Sequence, residues 1–65
     1  MFKNLLHEFK RNNVKIEDVA HKMKLPQKIL IDKINGKVEF KIEECLELQR
    51  ILGNRDMCLE YLFEN

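Results

Sequence analysis

The chain has 65 residues, of which 45% are hydrophobic and 35% are charged, and its formal net charge is +1. A chain of this length buries only about 60% of the surface that its unfolded form exposes, which leaves little room for an enzymatic cleft. Two Gly and one Pro argue against a disordered chain and against an all-β fold with many tight turns. We therefore expect a single all-α domain over residues 1–65.

Two helices are predicted in the first part of the chain. Apolar residues at positions 2, 5, 6 and 9 recur at helical spacing and predict a helix over residues 2–12, which Asn12 and Asn13 end. The apolar residues from Ile16 to Met23 are again three or four positions apart and predict a second helix over residues 16–23.

The third helix is marked by its two ends. Pro26 lacks an N–H and disfavours a helical conformation at Leu25, so it interrupts the preceding helix. Because proline is well accepted at the first position of a helix, the third helix is predicted over residues 26–34. Gly36 can adopt a positive φ and ends it.

Two more helices complete the predicted fold. Phe40 lies in a loop over residues 37–41 and is expected to anchor that loop in the core. The apolar residues that follow predict a helix over residues 42–52. A last short helix holds Leu59, Leu62 and Phe63, with Asp56 as a possible N-cap. The expected fold is compact, with five short helices.

Residues 16–35 have the apolar pattern of a helix-turn-helix unit. Such a unit needs a small residue where the second helix crosses the first, and Ala20 occupies that position. Leu25 supplies the apolar residue of the turn, and Leu30 and Ile34 supply the inner face of the second helix.

Several segments together resemble a known family. Residues 14–20 (VKIEDVA), 23–25 (MKL) and 33–37 (KINGK) are similar to the Cro and phage-repressor (XRE) helix-turn-helix family. The KINGK ending, the following Glu39-Phe40 and residues 59–63 (LEYLF) look like the small phage and Gram-positive bacterial members. The resemblance covers nearly the whole chain, and it implies a five-helix Cro- or repressor-like transcriptional regulator that binds an operator in double-stranded DNA as a homodimer.

The resemblance also implies which residues touch DNA, since the third helix would lie in the major groove. By position, the residues that would contact bases are Gln27, Lys28, Ile31 and Asp32. Gln27 suits adenine, Lys28 suits guanine and Ile31 suits a thymine methyl group. Asp32 would accept from cytosine or only repel phosphate. The residues that would contact the DNA backbone are Asn35, Lys37 and Lys41, with Lys15 and Lys33 as weaker candidates.

The distribution of charge along the chain is consistent with DNA binding but does not require it. Residues 1–41 carry ten Lys or Arg against five Asp or Glu, whereas residues 42–65 carry two against six. A basic segment of this kind is typical of nucleic-acid binding and equally of an ordinary solvated surface. The acidic part would face away from DNA, and we expect its residues Tyr61, Leu62 and Phe63 to form the dimer contact.

Departures from the family pattern support an alternative. Ile16 stands where the family commonly has a Gln that contacts phosphate, and Ile29 replaces a common Thr. Ile29 and Ile31 together place apolar area on a helix that should meet DNA. The chain could instead be a protein-binding module on the same scaffold, such as an antirepressor or a partner of another regulator. The direction in which Ile29 and Ile31 face discriminates between the two functions.

Two other departures from the family pattern lie in the turn between the second and third helices. Lys24 replaces the usual Gly, which costs about 1 kcal/mol of backbone strain, and Pro26 replaces the usual Ser or Thr cap.

Other classes of function have no motif in this sequence. Cys45, Cys58 and the two His lack zinc-ligand spacing, and Cys45 fits a small buried apolar residue. No Gly-rich phosphate loop or nucleophile motif is present, so we expect no metal, no cofactor and no enzymatic activity. No apolar run is long enough for a membrane span, and residues 1–4 do not resemble a signal peptide, so a cytoplasmic location is predicted.

Overall fold

The computed structural model describes residues 1–53 and 58–64, and that part of the chain is all-helical. Its helices are α1 (Lys3–Arg11), α2 (Ile16–Met23), α3 (Gln27–Ile34), α4 (Ile42–Ile51) and α5 (Leu59–Leu62). The prediction of five helices is confirmed, and the bounds of α2 agree with the predicted range. α3 begins one residue later than predicted, because Pro26 is its N-cap and not its first residue. Asp56, the predicted N-cap of α5, lies outside the described residues.

The helices enclose one buried cluster of apolar side chains. α2 packs against α3 and α4, and α5 packs against α1 and α4. The completely buried apolar residues come from all five helices: Leu5, Val19, Leu30, Leu48 and Leu62. Among the helices of residues 1–53 and 58–64, none combines the length and the apolar character that crossing a membrane requires.

Three phenylalanines close the core on one side. The ring centroids of Phe2 and Phe40 are 5.6 Å apart, and Phe63 lies 5.6 Å from Phe2 and 5.1 Å from Phe40. These separations lie in the range in which tilted and edge-to-face rings attract each other. Phe40 therefore anchors the α3–α4 connection in the core, as predicted.

A hydrogen-bond network fastens α5 to α1. The Asn4 side chain donates to the Tyr61 carbonyl at 2.8 Å, and the Tyr61 hydroxyl donates to Glu8 Oε2 at 3.0 Å. Glu8 is 2% exposed, and Arg11 lies 3.7 Å from its carboxylate. The hydrogen bond to Glu8 is the main reason why the pKa of Tyr61 is raised. The orientation of Tyr61 is thus fixed from both its backbone and its side chain.

The first three helices end in the same way, with one residue in the left-handed conformation. These residues are Asn13 with φ 56°, Lys24 with φ 58° and Gly36 with φ 85°. After Lys24, the Leu25 N–H donates to the Ala20 carbonyl at 2.9 Å, which gives α2 a Schellman-type end. The left-handed conformation costs little for Gly and is tolerated by Asn, but it strains Lys24. The strain expected at this turn is therefore present.

We expect Lys24→Gly to raise the free energy of unfolding by about 0.5–1 kcal/mol, because it relieves this strain in the folded chain. The greater freedom of Gly in the unfolded chain offsets only part of that stabilisation. Urea unfolding followed by circular dichroism measures the change. Lys24→Ala is the matched control, because it removes the ammonium group and keeps the strained conformation. Equal stability of the two variants would contradict the explanation.

Candidate nucleic-acid interface

α3 presents one buried face and one exposed face. Leu30 and Ile34 are 0% and 2% exposed and pack in the core. Gln27, Lys28 and Ile31 lie on the exposed side. Spacings of three and four residues place Ile31 beside both Gln27 and Lys28 on the helix surface. Three of the four predicted base-contacting residues are therefore grouped on one solvent-facing patch.

The polar side chains of this patch are free to bind a ligand. Within residues 1–53 and 58–64, neither Gln27 nor Lys28 makes a side-chain hydrogen bond or an ion pair. Asp32, the fourth predicted base-contacting residue, is half-buried at the edge of the patch. Its carbonyl accepts from the Lys37 N–H at 2.9 Å, which holds the end of α3 against the following connection.

Ile29 and Ile31 of α3 do not face the same way. Ile31 is 37% exposed and lies in the patch, whereas Ile29 is half-buried. The predicted two-residue apolar surface is thus reduced to Ile31 and part of Ile29. One exposed isoleucine beside Gln27 and Lys28 can contact a thymine methyl group, and it can equally contact an apolar surface of a partner protein.

The N-terminus of α3 is suited to a negative charge. The first amide groups of a helix have no partners within it, and no side chain caps those of α3. The first turn of α3 has no acidic residue, whereas the first turn of α2 carries Glu17 and Asp18. Because a helix N-terminus carries partial positive charge, α3 favours an anion where α2 does not. Lys28 adds a full positive charge at this end of α3.

The predicted backbone-contacting residues lie near both ends of the α2–α3 unit. Lys15 is exposed immediately before α2, and Asn35 and Lys37 are exposed immediately after α3. Lys41 is exposed at the N-terminus of α4, and its N–H donates to Glu44 Oε1 at 2.8 Å. These four side chains are available for contact with phosphate, in addition to the patch on α3.

The structure does not place Lys33 among them. Lys33 is 5% exposed, and its ammonium lies 2.6 Å from Glu44 Oε1 and 3.4 Å from the Glu39 carbonyl oxygen. It also lies 5.9 Å from the centroid of the Phe40 ring. Lys33 therefore joins α3 to α4 and does not reach phosphate. No role for Glu44 follows from the sequence alone, because its partner Lys33 lies eleven residues away and on another helix.

The environment of Glu44 shifts its pKa. Burial of the carboxyl acts to raise the pKa, but hydrogen bonds from Lys33 and from the Lys41 N–H, together with the charges of both lysines, outweigh burial and lower it. A lowered pKa in the folded state means that the ionised Glu44 carboxylate stabilises the fold at pH values above about 4.3, which is the pKa of a Glu side chain in an unfolded chain. That contribution is lost as the pH falls through the folded-state pKa.

We therefore expect the free energy of unfolding to fall as the pH is lowered from about 5 through the folded-state pKa of Glu44. Glu44→Gln removes this titrating group and keeps the shape of the side chain, so the free energy of unfolding of the variant should fall less steeply over the same pH range. Urea unfolding at a series of pH values compares the two chains. The same pH dependence in both would contradict the assignment of this acid sensitivity to Glu44.

The residues predicted for the dimer contact have different surroundings. Leu62 is 0% exposed, so it belongs to the core of the single chain and is not an interface residue. Phe63 is half-buried in the phenylalanine cluster. Tyr61 remains 37% exposed, with its hydroxyl bound to Glu8. The described part of α5 therefore offers little apolar surface to a second copy.

Neither cysteine belongs to α3, which carries the exposed patch. Cys45 is half-buried, less than predicted, and burial raises the pKa of its thiol. Cys58 is exposed. Among the residues that the structure describes, no three His, Cys, Asp or Glu side chains come together in a group that could hold a metal ion.

The assembled surface combines an amide, an ammonium group and an aliphatic side chain on α3 with further cations near the helix ends. It can donate hydrogen bonds, attract anions and cover a methyl group within one short helix. Comparisons of the chain with family models, with curated proteins and with solved structures give no significant match.

Proposed function

We propose that this chain is a sequence-specific DNA-binding regulator of transcription, in which α2 and α3 form a Cro- or repressor-like helix-turn-helix unit. The observation that carries the proposal is the exposed patch of Gln27, Lys28 and Ile31 on α3. Its polar side chains are unpaired among the described residues, while Leu30 and Ile34 hold the opposite face rigidly in the core. A rigid helix with free polar groups on one face is suited to the major groove.

The side chains of the patch match different base edges. The Gln27 amide can form two hydrogen bonds with adenine, and the Lys28 ammonium can donate to O6 and N7 of guanine. Ile31 can cover a thymine methyl group, and Asp32 at the edge can accept from cytosine N4. Lys15, Asn35, Lys37 and Lys41 would then bind phosphates and orient α3 without reading sequence.

A homodimer would extend the readout to two half-sites. Two copies related by two-fold symmetry would place their α3 helices about one helical turn of DNA apart, on a palindromic operator. The proposed location of this regulator is the cytoplasm. Of the residues predicted for the dimer contact, Tyr61 alone is clearly exposed, so a larger contact elsewhere is needed.

Selection of bound duplexes from a random DNA library tests the proposed function. We expect repeated selection to enrich a short motif, and Gln27→Ala to relax the preference at one position of that motif. Lys10→Ala serves as a control, because Lys10 is exposed on α1, away from the patch. Retention of DNA without an enriched motif would contradict sequence-specific reading.

A protein-binding module remains the second candidate, and a specific observation favours it. Besides Ile31, the exposed large apolar residues include Val38, Ile42 and Leu46, which are 40%, 73% and 44% exposed. Ile42 and Leu46 lie one turn apart on α4, and neighbouring exposed apolar residues are typical of protein-binding surfaces. If no duplex is retained at low salt and Ile31→Asp abolishes capture of a regulatory protein, this second function replaces the first.

A further inference from the structure

A groove between the end of α2 and the outer side of α4 has walls of opposite charge. Lys22 and Lys24 line the α2 side, and the charged residues on the α4 side are Glu43, Glu44, Glu47 and Arg50, which leave that side acidic on balance. Between them lie Met23, which is half-buried, and Leu46, which is 44% exposed. The groove thus has an apolar floor between a basic wall and an acidic wall.

Three of the six charged residues that line the groove have no partner inside the described part of the chain. The side chains of Lys22, Lys24 and Glu43 form no hydrogen bond or ion pair there. Glu47 pairs with Arg50 on its own helix at 2.7 Å, in an exposed contact of the kind that contributes little to stability. Glu44 pairs with Lys33. The unpaired charges of the groove are therefore Lys22 and Lys24 on one wall and Glu43 on the other.

We propose that this groove binds a second copy of the same chain across a two-fold axis. A two-fold interface brings one surface against itself, and when the axis runs along the groove each wall of one copy meets the other wall of its partner. The basic wall of each copy then lies against the acidic wall of the other, and the two exposed Leu46 side chains approach near the axis. A surface with only one sign of charge would repel itself in this arrangement, whereas this surface attracts itself.

Other features of α4 agree with this occupant. Ile42 lies one turn before Leu46 and is 73% exposed, so the apolar strip continues along the same side of the helix. Burial of such a strip favours association, while the flanking charges fix its orientation and select the partner. The contact would supply the dimer that the proposed function uses, and it rests on that function only to this extent.

Sedimentation equilibrium in the absence of DNA tests the proposal with two complementary variants. Lys22→Glu/Lys24→Glu gives a chain with two acidic walls, and Glu43→Lys/Glu47→Lys gives a chain with two basic walls. We expect the wild-type chain to dimerise in the micromolar to millimolar range, and each variant alone to dimerise at least about tenfold more weakly. An equimolar mixture of the variants should form a heterodimer, because every wall again meets its opposite.

Lys3→Glu/Lys10→Glu is the matched control for Lys22→Glu/Lys24→Glu, since it makes the same change of charge on exposed residues of α1 and should leave the dimer intact. Circular dichroism checks that each variant is folded. If a charge reversal unfolds the chain, Leu46→Gln tests the same contact through the apolar floor and should weaken the dimer.

Three results would overturn the proposal. They are a wild-type chain that remains monomeric at millimolar concentration, a dimer that both charge reversals leave unchanged, and separate folded variants that do not associate when mixed. A monomer would assign the groove to a different protein. Because no DNA is present, none of these results decides whether α3 reads sequence, which the library selection tests separately.

Discussion

Glu44→Ala should lower the free energy of unfolding by about 3 kcal/mol, because it leaves the Lys33 ammonium buried without its counter-ion. The Lys33 side chain is 6% exposed, and its nearest anion is Glu44 Oε1 at 2.6 Å. The backbone carbonyl of Glu39, at 3.4 Å, is a weak substitute for a carboxylate. Urea unfolding at neutral pH measures the loss directly.

The double variant Lys33→Met/Glu44→Leu separates the unpaired charge from the loss of packing. Replacing both members of a buried ion pair with apolar residues of similar volume is often neutral or stabilising, so most of the lost stability should return. Glu47→Ala is a second control, because it breaks an exposed pair with Arg50 and should cost less than about 0.5 kcal/mol. Equal losses from Glu44→Ala and Glu47→Ala would show that the Lys33–Glu44 pair does not join α3 to α4 as described.

Lys28→Ala and Gln27→Ala should each weaken binding to the preferred duplex about tenfold to a hundredfold, which corresponds to about 1–3 kcal/mol for a lost base contact. Both side chains are exposed and unpaired among the described residues, so their removal leaves the fold intact. Fluorescence anisotropy with a labelled duplex measures the change. Binding to a scrambled duplex should change far less, above all for Gln27→Ala, which removes no charge.

Lys37→Ala provides the contrast. Because Lys37 is a proposed phosphate contact, its removal should weaken binding to the preferred and scrambled duplexes by a similar factor. It should also reduce the salt dependence of binding by about one counterion. If Gln27→Ala weakens both duplexes equally, α3 does not read bases. The exposed patch would then be a general anion-binding surface, contrary to the proposed function.

The helices could be predicted because their limits are set by neighbouring residues. The range of α2 follows from its apolar spacing, and its end follows from Lys24, Leu25 and Pro26. Lys24 has the left-handed conformation, and Pro26 is the N-cap of α3. Gly36 ends α3 with a positive φ for the same local reason. These outcomes depend on backbone sterics within a few residues, which a sequence displays directly.

Contacts between distant residues could not be predicted in this way. Lys33 looks like any surface lysine until Glu44 and Phe40 are brought against it, and this depends on how α4 packs. The prediction that Leu62 forms a dimer contact is wrong, because the hydrogen bonds from Tyr61 to Glu8 and from Asn4 to Tyr61 hold α5 against α1, where Leu62 is completely buried. The α2–α4 groove likewise exists only in the folded chain.

The contacts that hold α3 in place come from several other parts of the chain. The Schellman-type end of α2 sets its start, the Lys33–Glu44 pair joins it to α4, and the Phe2 N–H donates to the Ile34 carbonyl at 3.0 Å. A helix that is fixed at its start and at its end keeps its exposed side chains in constant positions. Such preorganisation favours sequence reading, because little side-chain and backbone order remains to be gained on binding.

Titration of duplex DNA from around the protein's own gene, over a series of salt concentrations, shows whether α3 reads a DNA sequence. We expect tight binding that weakens as salt rises and that exceeds binding to a scrambled duplex at every salt concentration. Equal binding to both duplexes would contradict sequence reading by α3. No binding even at low salt would contradict DNA binding altogether and would favour a protein partner for the surface around Ile31.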